Sequence, residues 1–418
     1  VSIILPNGLR VQILLNEKLI TKRPTLLCQF LVASGAAADP AGKKGLAHTL
    51  EHIVCGMTPE LPRLFSEPLR DAFQKRQVVY PLPRTELDYT RMSIVAPAAL
   101  HRDVFDFLGR WISEPKLDEA YVAACVRDVI EEKRGQLRDN PFTEVYDVLY
   151  ESAFSGHPYE AYTVGRIGDL ETITRQDCEQ FFRRHYGLAN VHLTVMLSAD
   201  AKPDFDRIAD SARERFALLP GVGDPPRPLP SRTLLSAGFR LRRLKATAAQ
   251  RAAVIGLATP ALKDLDSASH QLVRFLLCAP GSRLREQLSP WVKTLIAVPP
   301  LTREPGLFEV LAEAQAGAGD DWQEALRAGF FAEARRIASG ALDEDEFELA
   351  QALAARHWEK TQERPEQQME MLAVHELFGR GQAQWLEQPE KIGSMDAEAL
   401  SRAASEWMKE DAAVAVMT

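Results

Sequence analysis

At 418 residues the chain is too long for one small core, and two domains of about 200 residues are the natural expectation. Apolar residues at 46% and charged residues at 26% fit an ordinary globular chain, and a net charge of −8 excludes the basic footprint of a nucleic-acid binder. No apolar run reaches the length of a membrane span, so a soluble form is expected. Val1 is not a methionine, which predicts that a leader or preceding stretch has been removed. Cys28, Cys55, Cys125, Cys178 and Cys278 are scattered and odd in number, and they read as buried free thiols rather than a disulfide frame.

Along the chain, residues 8–15 (Gly-Leu-Arg-Val-Gln-Ile-Leu-Leu) follow a Pro-Asn-Gly approach and read as a strand, and 25–32 as a second. A loop of small residues, 35–42, leads to Gly45-Leu-Ala-His-Thr-Leu-Glu-His-Ile-Val-Cys-Gly56. His48, Glu51 and His52 stand there as His-x-x-Glu-His. On a helix, positions i, i+3 and i+4 share a face, so the two imidazoles lie one turn apart and can bind one tetrahedral metal ion. Glu51 beside them is placed to take a proton from a water activated there. The remaining side chains of the stretch are almost all apolar, and burying two imidazoles and a carboxylate is reasonable when a dication pairs with them.

Beyond the motif, 65–75 suggests a helix within a proline-containing polar segment, and 89–96 a strand. Helical periods run over 105–113 and 118–137, the second ending before Asn140-Pro141. His157-Pro158-Tyr159 opens a loop, 177–186 reads as a helix, 191–197 as a strand and 207–218 as a helix. The stretch 220–230, rich in proline and glycine, is the one convincing linker. After it the order restarts. Strands are expected at 239–244 and 252–257, helices at 267–278, 323–337, 345–362, 365–378 and 399–408, and a last strand at 412–417. The expectation is an α+β chain of two duplicated α/β-roll domains, each a mainly antiparallel sheet packed with helices. Their bounds are 1–218 for a zinc-binding catalytic domain, 219–232 for the linker and 233–418 for a second domain lacking the motif. Where the motif helix would recur stands Ser269-His270-Gln271-Leu272, and His270 reads as an ordinary, partly buried histidine.

Two histidines leave a catalytic zinc short of one protein ligand. The helix 118–137 carries Glu131-Glu132, of which only one can face a given direction. Tyr121, Cys125, Val129 and Glu132 form one stripe, whereas Glu131 shares a more polar side with Ala124, Arg127 and Asp128. Glu132 is therefore the expected ligand, with Glu131 the alternative.

With these residues in place, the chain resembles the inverted-motif zinc peptidases that include pitrilysin, insulin-degrading enzyme and the mitochondrial processing peptidases. The likeness extends to Pro6-Asn7-Gly8-Leu9, Val129-Ile130-Glu131-Glu132, Asp139-Asn140-Pro141, His157-Pro158-Tyr159, Gly281-Ser282-Arg283-Leu284 and Leu377-Phe378-Gly379. The length is that of half-size, bacterial-type members, which form one half of a clamshell that pairs into a closed chamber. The resemblance implies one Zn2+ per chain on His48, His52 and Glu132, Glu51 as base, peptide substrates, and a bacterial periplasm or cytoplasm as compartment.

Three departures qualify it. Cys125 stands where the family has a further glutamate, seven residues before the ligand glutamate. The segment that pairs with the substrate backbone maps onto Leu82-Pro83-Arg84-Thr85, where prolines remove N–H donors from the strand edge. The arginine and tyrosine aimed at the scissile carbonyl are missing from 291–298, where Ile296 takes the tyrosine position. The expected function is hydrolysis of peptide bonds in peptides or unfolded segments, by a zinc-bearing subunit. The expected partner is a related chain that supplies the Arg/Tyr pair, with a homodimer as the alternative assembly. The other reading is a non-catalytic core or assembly subunit that keeps zinc as a fold element. Glu51 argues against it, because a structural site needs no base.

Overall fold

The last strand of each half of the sequence is inserted into the middle of a sheet begun much earlier. The computed structural model describes residues 1–55, 65–79, 83–115, 117–221, 240–245, 251–319 and 321–418. Its first sheet contains β1 (Ser2–Ile4), β2 (Arg10–Asn16), β3 (Thr25–Val32), β4 (Arg84–Thr85), β5 (Thr90–Pro97) and β6 (Val191–Ser198), in the order β1-β2-β6-β3-β5-β4. The second contains β7 (Arg240–Arg243), β8 (Ala252–Thr259), β9 (Val292–Val298), β10 (Gly306–Ala314) and β11 (Ala413–Met417), in the order β7-β11-β8-β10-β9. The wiring is the same in both. β6 lies parallel to β2 and antiparallel to β3, as β11 lies parallel to β7 and antiparallel to β8.

Helices pack on these mixed sheets. The first five are α1 (Leu46–Cys55), α2 (Glu67–Gln74), α3 (His101–Ser113), α4 (Glu119–Asp139) and α5 (Phe142–Ala153). β3 reads Thr-Leu-Leu-Cys-Gln-Phe-Leu-Val and is buried along nearly its whole length, as a strand covered on both faces must be. Leu26, Cys28, Phe30 and Val32 enter the main core with α1, α3 and α4, while Leu27 meets Met196 and Met369 on the opposite face. The five cysteines are buried and free.

The chain divides into two compact units that do not coincide with the two halves of the sequence. One consists of Val1–Lys133, Thr163–Pro228 and Thr361–Ala373; the other of Arg134–Tyr162, Leu229–Lys360 and Val374–Thr418. The simple bounds 1–218 and 233–418 miss this exchange, because helices from each half cover sheets built by the other. Met369 and Glu370 of the helix Pro365–Phe378 serve the first sheet, and α5 serves the second. In the first unit Tyr89 donates to Glu370 at 2.8 Å; in the second Tyr146 and Tyr150 of α5 donate to Glu309 of β10 at 2.9 and 2.7 Å. The expected linker, from residue 222 onward, and Phe239 of the expected strand 239–244 lie outside the described residues.

Candidate metal centre

The motif helix α1 is pinned at both ends. The buried Asp39 carboxylate accepts the backbone N–H groups of Gly45 and Ala47, each at 2.7 Å, and so satisfies donors that a helix start leaves open. Burial pushes Asp39 up to about 7, even though these N–H groups and Lys44 pull the other way. Gly45 has φ +104°, a conformation that suits glycine, and a Cβ there would lie 2.5 Å from the Leu170 side chain. At the other end the Trp111 indole N–H of α3 donates to the Val54 carbonyl. Leu46, Ala47, Leu50, Ile53 and Val54 face the core, which turns His48, Glu51 and His52 toward α4 and β4.

There the three expected ligands come together. Glu132 Oε2 lies 3.3 Å from His52 Nε2 and 3.7 Å from His48 Nε2, and all three candidate ligand atoms are within 4.8 Å of one another. A tetrahedral zinc with bonds of about 2.0–2.1 Å spaces its ligands by roughly 3.4 Å, close to the 3.3 and 3.7 Å that separate Glu132 from the two imidazoles. The two imidazoles meet edge to face, with centroids 4.8 Å apart. His48 is buried and His52 and Glu132 are partly exposed, which leaves the centre accessible from one side. Glu131 is exposed and turned away, and Cys125 is buried.

The electrostatics also suit a cation. Burial, together with the charge of His52, lowers His48 to about 4, leaving it the neutral imidazole that binds metals. His48 Nδ1 is buried without a hydrogen-bond partner among the described residues. Burial pulls His52 down as well, but its hydrogen bond to Glu132 and the charges of Glu51, Glu132 and Asp128 outweigh that and raise it. Glu51 is 4% exposed; burial raises its pKa, opposed by a hydrogen bond from Thr85 and by the charges of His52 and Arg91. Nearby Glu86 is raised to about 7 by burial, despite its ion pair with Arg84.

Of the residues expected to line the substrate edge, Leu82 lies outside the described residues and Pro83 is partly buried just before β4. Arg84 is exposed on the edge strand. The Thr85 side chain is buried, and its hydroxyl donates to Glu51 Oε2 at 2.5 Å. Ile296, in the second unit, is 44% exposed on the edge strand β9. The sequence reading missed Asp39, Tyr89, Arg91 and Glu370. Asp39 caps from six and eight residues upstream, outside the usual cap spacing, and the Arg91 Nε to Glu370 Oε1 approach of 3.2 Å spans most of the chain.

A family model described as the peptidase M16 inactive domain matches residues 172–353, a stretch that contains none of His48, Glu51, His52 and Glu132. The zinc protease PqqE of Helicobacter pylori is 23% identical over 229 residues, covering 55% of this chain and 49% of that protein. The match thus spans about half the length of this curated relative. Two solved structures share the fold over 100% of this chain. A protease from Helicobacter pylori has a TM-score of 0.85 at 19% identity, with 98% of it covered. A peptidase M16 inactive domain from Pseudomonas fluorescens has a TM-score of 0.80 at 15% identity, with 97% covered. The fold is that of M16 peptidases, and the sequence is related to theirs.

Proposed function

We propose that this chain is the zinc-bearing subunit of a peptidase that hydrolyses peptide bonds in peptides or unfolded segments. The observation that supports this most is the convergence of His48 Nε2, His52 Nε2 and Glu132 Oε2 around one point, with the buried Glu51 on the same helix face. A zinc ion held there would supply positive charge that acidifies a nearby water and polarises a carbonyl. Glu51 takes the proton as that water attacks the peptide carbonyl, and delivers it to the departing amine. Its raised pKa suits both halves of the task, since a base whose acid form is accessible can also return the proton. His48 and His52 stay as donors, each held by the core packing of α1.

The developing oxyanion calls for a further hydrogen-bond donor, an interaction commonly worth about 3–4 kcal/mol. Ile296 and Val298, exposed on the edge strand β9, bring side chains with no donor. We therefore assign the missing arginine and tyrosine to a related partner chain. The test is hydrolysis of an internally quenched, unstructured peptide by the zinc-loaded chain, alone and with the partner, beside Glu51→Gln. Weak activity that rises on mixing, and that Glu51→Gln abolishes, is expected. Full activity from the isolated chain refutes the split site. Zinc retention without any Glu51-dependent hydrolysis favours the core-subunit reading.

A further inference from the structure

The edge strand β4 has two residues, so its side chains point to opposite sides. Arg84 points outward and is exposed; Thr85 points inward and is buried beside its cross-strand partner Thr90. Thr85 is the one hydrogen-bond partner of the Glu51 carboxylate among the described residues. The hydroxyl cannot easily leave. Ala36 N–H donates to the Glu86 carbonyl at 3.0 Å and Ala37 N–H to that of Leu87 at 2.8 Å, tying the β4–β5 turn to the loop before α1. Gly35 sits in that clasp, and a Cβ there would fall 2.1 Å from the Glu86 carbonyl oxygen. Behind Thr85, the Thr90 hydroxyl lies 3.5 Å away and spends its own hydrogen on the Ser34 carbonyl at 3.0 Å. Thr90 therefore cannot donate to Thr85, and the Thr85 hydrogen remains available for Glu51.

We propose that Thr85 is a positioning residue for Glu51: its clamped hydroxyl fixes one carboxylate oxygen and leaves the other directed at the reacting water. This rests on the peptidase reading above and assigns Thr85 a role other than contact with the substrate. A carboxylate without that bond would sample other rotamers, and misplacement by about 1 Å is enough to cost up to roughly 100-fold in rate.

The test compares wild type, Thr85→Val and Thr85→Ser as full chains, with the partner present if wild type needs it. Zinc content, kcat and KM on the quenched peptide, and a crystal structure of Thr85→Val are measured. Zinc should stay at one per chain, kcat should fall roughly 10- to 100-fold, and KM should move less than about twofold. Thr85→Ser, which keeps the hydroxyl, should recover most of the loss. The crystal structure should show the Glu51 carboxylate displaced or in more than one rotamer. If Thr85→Val does not fold, the smaller Thr85→Ala replaces it. A raised KM with kcat unchanged overturns the proposal in favour of substrate contact, and so does an undisturbed Glu51 in the variant crystal. If wild type and Glu51→Gln hydrolyse alike, the peptidase reading fails, while the position of Glu51 in that crystal still decides the role of Thr85.

Discussion

The same helix position is used twice in this chain, to different ends. α1 follows β3 in the first unit, and the helix Ser267–Cys278 follows β8 in the second; both strands pair with the closing strand of their sheet. Each helix carries a buried histidine. His48 shares its face with Glu51 and His52 and meets Glu132 from α4, in a centre open on one side. His270 is fully buried rather than partly so. It stacks on Trp407 with centroids 4.1 Å apart and planes within 13°, and its Nδ1 lies 2.8 Å from the Asp266 carbonyl. Burial lowers both histidines to about 4, so a depressed pKa does not distinguish a candidate ligand from a packed ring. What separates them is a second imidazole, a facing carboxylate and an open side.

The largest expected effect comes from removing that carboxylate. Glu132→Gln should drop zinc from one per chain to near none by elemental analysis, and activity with it, whereas His270→Ala should leave the metal untouched. Equal losses in both variants would break the contrast. Next is Glu51→Gln, which should keep zinc and lower turnover by roughly 10²- to 10⁴-fold, the usual worth of a general base. Zinc lost together with activity would make Glu51 a ligand instead.

A smaller effect compares the helices exchanged between units. Glu309→Gln and Glu370→Gln each weaken hydrogen bonds from tyrosines to a buried carboxylate, and each should cost on the order of 1–3 kcal/mol in calorimetric unfolding. An effect of similar size concerns pH. His270 is depressed to about 4 in the fold against 6.5 when free, so the unfolded chain takes up a proton that the folded one refuses. Its contribution therefore falls as pH drops from 6.5 toward 4, by at most about 1.4 kcal/mol per pH unit. His270→Phe should narrow the difference in unfolding temperature between pH 7.5 and pH 5. An unchanged difference would mean that His270 is not the group responsible.

Periodicity made the long helices and the central strands legible. The helix Ser267–Cys278 and the strand Thr25–Val32 have the expected ends, since pattern and packing agree there. The stripe argument separated Glu131 from Glu132 because neighbours on a helix point about 100° apart. α5 was missed. Its Phe-Thr-Glu-Val-Tyr start is rich in aromatic and β-branched residues, and what holds it is Glu309, 159 residues from Tyr150. β9 and β10 were also not foreseen, since 291–298 was read only for the side chains it lacks. Thr85 was assigned to the substrate edge by the resemblance, and its inward side chain was not legible because a two-residue strand shows no alternation from which to tell inward from outward.

The exchange of helices sets a timetable for synthesis. The first sheet has all its strands once residue 198 has emerged, yet its Leu27 and Met196 face is covered only when Met369 arrives. At roughly 5–20 residues per second, the ribosome takes on the order of 10–30 s to make the intervening chain. For that interval the apolar cluster around Leu27 and Met196 waits without its cover. A nascent chain of this protein therefore presents a natural client surface to ribosome-associated chaperones, and slow codons late in the message would lengthen that exposure.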